Sequence, residues 1–324
     1  MRLVTLADGS RPAALVTDGD VDRVLDLSGI ASSTLAVLTD DALLDAAREA
    51  VSSADAATLP ARDEVRLAAP VVPGKIICIG YNYRGHVSAK SSLDAPDPEF
   101  PDVFVKTPNV LRGPDDVVEI PAQSERVDYE GEIALVIGRT ARNVPEEDAL
   151  SYVAGYTLFD DITARDWQDR TSQWTLGKNF DGFGPLGPAV VTPDEIADPA
   201  DLVVEVVREG QVTVSQSTST LIFPFARLIH YVTQAITLEP GDIISTGTPQ
   251  KLPEAGAAHR PLASGDAVTV RVAGIGELTT TATPRATAPR RRSRPAACTS
   301  SLASRRTRRA PRRLAATPTA CSTP

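Results

Sequence analysis

Residues 127–138 read Val-Asp-Tyr-Glu-Gly-Glu-Ile-Ala-Leu-Val-Ile-Gly. In a strand, side chains alternate between faces, so Asp128, Glu130, Glu132, Ala134 and Val136 share one of them. That face is acidic at its start and apolar at its end, the pattern of a strand entering a core from a polar rim. Two carboxylates at i and i+2 leading into a buried strand repel each other unless a positive charge sits between them. A hard divalent cation meets that need, since Mg²⁺, Mn²⁺ and Ca²⁺ all prefer oxygen ligands. On spacing alone, a solvated acidic strand face is the commoner origin of such a pair.

Outward from this stretch, the chain continues to read as β. Short apolar strands are expected at 75–80 (KIICIG), 102–106 (DVFVK), 202–208 (LVVEVVR) and 267–272 (AVTVRV), with helices only at 146–153 and 223–235. No alternation of strand and helix appears, which excludes a doubly wound fold. The expectation is a strand-rich α+β protein, a mixed β-sandwich or roll with peripheral helices. Residues 1–70 are expected to form a small α+β domain. Strand-like MRLVTLA and RPAALVT flank the Asp8-Gly9 turn, a second turn follows at 18–20, and 40–51 (DDALLDAAREAV) reads as a helix. The run 70–74 (PVVPG) marks the boundary to a catalytic domain over 71–284.

Residues 285–324 differ in character: eleven Arg, no Lys, no acidic residue and almost no hydrophobic periodicity. This Arg/Ala/Pro-rich tail is expected to be disordered. It reads either as a non-native extension, such as out-of-frame translation of a GC-rich gene, or as a basic arm for nucleic acid. The formal charge of −9 resolves into +11 for the tail and −20 for residues 1–284. A body so acidic is a poor nucleic-acid binder. No run of about 18 apolar residues is present, so no membrane span is expected. Residues 1–20 also lack the apolar run of a signal peptide. Cys78, Cys298 and Cys321 show no paired spacing, which makes a reducing, cytoplasmic location the default expectation.

Three further stretches carry polar groups suited to chemistry. In 160–168 (DDITARDWQ), a helical turn would place Asp161, Arg165 and Gln168 on one face, although such an Asp–Arg pair is ordinarily just intrahelical. In 173–188 (QWTLGKNFDGFGPLGP), four Gly and two Pro suggest a rigid turning loop around Lys178, a cation suited to a developing oxyanion. In 238–249 (LEPGDIISTGTP), the Thr246-Gly247-Thr248 turn lets backbone approach a ligand closely. Of the three His, His86 follows YNYRG, His230 sits in the 223–235 helix and His259 in a polar loop.

Taken in order, YNYRGH (81–86), DYEGE (128–132), DDITARDWQ (160–168), GKNFDGFGPLGP (177–188) and LEPGDIISTGTP (238–249) resemble the fumarylacetoacetate hydrolase family. The likeness extends to its acylpyruvase, diketo sugar-acid hydrolase and 2-hydroxyhepta-2,4-diene-1,7-dioate isomerase branches. It spans roughly residues 70–280. The resemblance implies a mixed β-roll, usually a homodimer, acting on a small 2-oxo or 2,4-dioxo acid. It implies Glu130, Glu132 and Asp161 as ligands of Mg²⁺ or Mn²⁺, and His86 as the base that activates water. Lys178, Arg165, Gln168, Thr248 and Tyr83 would contact substrate, with Lys178 holding the oxyanion. Hydrolysis of a C–C bond in a 2,4-dioxo acid is the leading expectation. The family commonly places a Glu three residues after the His, where this chain has Ala89, with Asp94, Asp97 and Glu99 as the nearby acids that could substitute. That departure raises two rivals that need no activated water, decarboxylation and keto–enol isomerisation, and also a metal-binding member with impaired turnover.

Overall fold

The computed structural model describes residues 1–86 and 96–284, so Ala89, Asp94 and the 285–324 tail lie outside the described residues. The strand-rich α+β expectation holds. One mixed sheet follows the path Val21–Asp26, Arg11–Asp18, Arg2–Leu6, Gly184–Val191, Val153–Asp160, Gly131–Ile137, Ile243–Ser245, Ile76–Gly80 and Asp102–Lys106. Neighbours on this path are antiparallel except Ile243–Ser245 and Ile76–Gly80, which run parallel. A second sheet of five strands runs Gln211–Ser217, Val203–Arg208, Ala267–Val272, Gly276–Pro284 and Val117–Ile120.

The stretch that decided the reading lies where the two sheets meet. All seven residues of Gly131–Ile137 are buried, so neither face of this strand meets solvent. A Cβ on Gly131 would lie 2.6 Å from the Val206 side chain and 2.7 Å from that of Val270. Only glycine lets the second sheet approach so closely at that point, which accounts for the Gly between the two acids. Residues 1–70 hold four strands, the last of them the short Leu67–Ala68, and two capped helices. Ser33 Oγ accepts from Ala36 N at 3.1 Å, and Asp40 Oδ1 from Ala42 N at 2.9 Å. This N-terminal portion is hydrogen-bonded into the main sheet through Arg2↔Val191 and Leu3↔Val190.

Three local expectations are corrected. The end of the 173–188 stretch, read as loop, belongs to Gly184–Val191, a strand in the middle of the main sheet. Its Pro and Gly are accommodated by an irregular register against Val153–Asp160. Residues Glu146–Tyr152 form 3₁₀ turns rather than an α-helix. The 160–168 stretch is helical only over Arg165–Gln168, with Asp161 lying before it. Among the described residues, no helix is long and apolar enough to cross a membrane.

Candidate metal centre and active site

Strand pairing assembles the acidic cluster. Gly131 pairs with Asp160, and Glu132 with Phe159. One step beyond, Asp161 N donates to Glu130 O at 2.9 Å. The Asp160 carboxylate accepts from Glu130 N at 3.0 Å and from Thr280 Oγ1 at 2.7 Å, tying the second sheet to this junction. Burial, above all, pushes the Asp160 carboxyl up to about 6. The two strand ends therefore present Glu130, Glu132 and Asp161 side by side, all buried, with one oxygen from each within 4.8 Å of the others.

Cations thread through the cluster. Lys178 Nζ lies 2.6 Å from both Glu130 Oε2 and Asp161 Oδ2. Lys106 Nζ bonds Asp161 Oδ1 and, at 3.1 Å, Ile162 O. Arg165 lies 2.5 Å from Glu130 Oε1 and 3.0 Å from Asp128 Oδ2, and Lys251 bonds the other oxygen of Asp128. The groups form an alternating chain, Lys251–Asp128–Arg165–Glu130–Lys178–Asp161–Lys106, that begins and ends in a cation. Glu130 is buried, which alone would raise its carboxyl, but Arg165 and Lys178 hold it well below the usual carboxylate range. Burial likewise disfavours the Lys178 ammonium, and Asp161 and Glu130 overcome it and push its pKa up.

Glu132 stands outside that chain. It accepts from two neutral donors, Ser245 Oγ at 2.5 Å and Gly247 N at 2.9 Å. Gly247 has φ +95°, and a Cβ there would sit 3.0 Å from Ile79 O, so glycine is required for this N–H to reach the carboxylate. Burial, then the charges of Asp161 and Glu130, push the Glu132 carboxyl well above its ordinary value. A buried carboxylate beside two others, with no cation of its own, fits a hard divalent ion bound through oxygen.

A cavity of ≈ 260 Å³ opens onto this cluster, lined among others by Glu130, Glu132, Arg165, Gln168, Lys178 and Thr248. His86 lines it as well, and its Nδ1 lies 2.7 Å from the Thr248 carbonyl oxygen. With Nδ1–H donating to that carbonyl, Nε2 carries the free lone pair. Among the described residues no carboxylate is hydrogen-bonded to His86, and Asp97, a possible substitute partner, is held by Arg84 at 2.8 Å. Tyr81, Trp174 and Phe104 form an edge-to-face aromatic wall, with ring centroids 5.6 and 5.3 Å apart.

The structure thus gathers His86, Glu130, Glu132, Asp161, Arg165, Gln168, Lys178 and Thr248 at one place. Tyr83 is the exception. It is wholly buried, bridges Leu221 through its backbone, and its hydroxyl has no hydrogen-bond partner among the described residues. Tyr81, two residues earlier, lines the cavity instead. The sequence reading placed Asp128 on the acidic face and Asn82 in a motif without giving either a role, and it missed Lys106. Asn82 accepts from Phe223 N at 2.9 Å and donates to Thr246 O at 2.9 Å, anchoring the turn that carries Gly247 and Thr248. No signal marks Asn82 or Lys106 in sequence, because their partners lie 55 to 164 residues away.

The chain's residues 75–283 match the model of the fumarylacetoacetate (FAA) hydrolase C-terminal family. Over 244 residues it is 41% identical to the mitochondrial oxaloacetate tautomerase FAHD2A of Homo sapiens, covering 74% of this chain and 75% of that one. Among solved structures, it resembles the fumarylacetoacetate hydrolase of Exiguobacterium antarcticum at TM-score 0.72 and 33% identity, covering 88% of this chain and 100% of the other. It also resembles the maleylpyruvate hydrolase of Sphingobium sp. SYK-6, solved with manganese(II) and pyruvate, at TM-score 0.71 and 28% identity over 88% and 99% of the chains. With the strand order and the acidic cluster already in view, these likenesses settle the lineage: the chain belongs to the fumarylacetoacetate hydrolase family.

Proposed function

We propose that this protein catalyses keto–enol tautomerisation of a 2-oxo dicarboxylic acid of the oxaloacetate type, with Glu130, Glu132 and Asp161 holding Mg²⁺ or Mn²⁺. The observation that carries the reading is the state of His86: its Nδ1 faces a backbone carbonyl instead of a carboxylate. An imidazole so placed is oriented as a base, yet among the described residues no carboxylate is hydrogen-bonded to it to stabilise the imidazolium that water activation demands. Moving one proton to and from carbon asks less of it. The tautomerase relative supports the same choice.

The bound cation would act as a Lewis acid on the 2-oxo acid and offset the charge of its enolate. His86 Nε2 takes a proton from the carbon beside the keto group, the electron pair moves onto the keto oxygen, and a proton from solvent at that oxygen completes the enol while His86 releases its own. Lys178 and Arg165 supply fixed positive charge to the oxygens that gain negative character, at no reorganisation cost. Gln168, whose Oε1 accepts from Arg165 Nη1 at 3.0 Å, orients that guanidinium. Four carboxylates (Asp128, Glu130, Glu132, Asp161) face four cations (Lys106, Arg165, Lys178, Lys251).

The test is a panel of oxaloacetate, acylpyruvates and maleylpyruvate with Mg²⁺, Mn²⁺ or chelator, following enol absorbance and products. Metal-dependent acceleration of oxaloacetate enol–keto exchange is the expected result. Cleavage of an acylpyruvate without any such acceleration would overturn it in favour of hydrolysis, the second reading, which the likeness to maleylpyruvate hydrolase supports. In the same reading the protein is a homodimer. The end strand Asp102–Lys106 turns Val103 and Val105 outward, 38% and 44% exposed, as a face awaiting a partner.

His86 gives a sharper prediction. Burial, reinforced by Arg165 and Lys178 and opposed by Glu130 and the Thr248 carbonyl, lowers its pKa from the usual 6.5. A base with a lowered pKa stays neutral, and active, to more acidic pH. The acid limb of kcat/KM is therefore expected below 6.5. His86→Gln should cost roughly 10²–10⁴-fold in kcat/KM and leave Mn²⁺ affinity intact. An acid limb above 6.5 would remove His86 from this role.

A further inference from the structure

Beside the catalytic cavity lies a second chamber of ≈ 490 Å³. His86, Glu130, Arg165 and Thr248 line both spaces, so the two adjoin at these four residues. The far wall is built by the segment just after Thr248, which contributes Lys251 and His259.

Lys251 is held, not loose. Its Nζ bonds Asp128 and lies 3.9 Å from the centroid of the Tyr129 ring. An ammonium has three donors, and Asp128 and the ring face do not use them all. Asp128 also serves Arg165 at 3.0 Å, so two cations share one carboxylate at the mouth of the chamber. His259 Nε2 is buried and has no hydrogen-bond partner among the described residues, a rarity that calls for a ligand. The wall itself is anchored from below by Arg208, which is fully buried. It donates to the carbonyls of Ala258, Arg260 and Pro261 at 2.9, 2.5 and 3.2 Å, and pairs with Asp266 at 2.7 Å.

We propose that this chamber receives the distal carboxylate of the substrate, with Lys251 as the specificity-determining cation and His259 Nε2 as a second polar contact. The inference rests on the reading of the metal cavity as a 2-oxo dicarboxylic acid site and adds the place and the residues that read the second carboxylate.

The test compares 2-oxoglutarate with 2-oxopentanoate, which share the 2-oxo acid head and chain length and differ in the distal carboxylate. Titration calorimetry on the full-length, Mn²⁺-loaded protein is expected to show tighter binding of 2-oxoglutarate. Lys251→Met should weaken 2-oxoglutarate by about 10-fold or more and leave 2-oxopentanoate within about twofold, while Lys251→Arg keeps the preference. The Mn²⁺ isotherm of each variant reports whether its metal site is folded. If the parent does not discriminate, or Lys251→Met weakens both ligands alike, the chamber is not a carboxylate reader. If neither ligand binds the metal-loaded parent, the 2-oxo acid reading itself falls, and the inference falls with it.

Discussion

Glu132→Gln is expected to abolish metal binding while leaving the metal-free protein as stable as its parent. The two effects separate because Glu132 is the one carboxylate of the cluster without a cation of its own. Its partners are Ser245 Oγ and Gly247 N, both neutral donors. Burial and the neighbouring Asp161 and Glu130 push its carboxyl well above the ordinary value, so in the absence of metal a neutral side chain is disfavoured there far less than at Glu130. An amide of the same shape keeps an oxygen for both donors and loses only the charge that the divalent ion needs. Mn²⁺ affinity should fall at least about 100-fold, since one of three anionic ligands has become neutral. The metal-free melting temperature should stay within about 2–4 °C of the parent, equivalent to about 1 kcal/mol or less in a domain this size. A large drop in metal-free stability would mean that Glu132 is ionised and paired there, contrary to the geometry. Retained Mn²⁺ binding would remove Glu132 from the ligand set.

The acidic pair that this experiment probes was visible in the sequence, whereas the setting that gives it meaning was not. Alternation through residues 127–138 announced a strand with Glu130 and Glu132 on one face; the strand is there over Gly131–Ile137, but Val127–Asp128 pairs separately with Thr163–Ala164 and Glu130 lies in the break between them. The hairpin over residues 2–18 was equally plain, because Asp8-Gly9 separates two apolar runs and local pairing follows from the turn. Local patterns of this kind depend on neighbours in sequence. The 184–191 strand escaped because Gly and Pro at 184, 185, 187 and 188 mimic loop chemistry, and only pairing with strands on both sides makes it β. Lys106 escaped for a related reason. It ends an apolar strand where a lysine is normally solvated, and its burial comes from Asp161, 55 residues on. In that same strand the usual pattern is inverted, with Val103 and Val105 outside and Lys106 inside. Tyr83 was misplaced by proximity to His86 in the motif, since the backbone turn after Gly80 sends Tyr81 rather than Tyr83 to the cavity. The ordered motifs named the residues of the site; the alternating chain of charges through them required the fold.

Removal of the central cation of that chain should have the opposite stability signature. Lys178 bridges Glu130 and Asp161 at 2.6 Å on each side and is 2% exposed. Lys178→Met fits a similar volume but leaves two buried carboxylates short of a partner. Breaking a buried pair in this way costs about 3–5 kcal/mol, so the metal-free protein should melt well below the parent. Here a divalent ion can do part of the lysine's work, because it binds the same carboxylates and neutralises the same charge. The rise in melting temperature on adding saturating Mn²⁺ should therefore be larger in Lys178→Met than in the parent, although both contain all three acids. Activity should not recover with the metal. In the proposed mechanism the ammonium is a fixed donor to the oxygens that gain charge, and losing one such donor costs about 10²–10³-fold in kcat. Lys178→Arg is a poor rescue on the same grounds, since the pocket between Glu130, Asp161 and the Phe104 ring, 4.9 Å from Nζ, is shaped for an ammonium rather than a planar fork. Measured together, the Mn²⁺-dependent melting shift and kcat distinguish two roles that activity alone would merge. A metal shift equal to the parent's would mean that Lys178 does not share its carboxylates with the ion. Unchanged kcat would mean that it does not face the reacting oxygens.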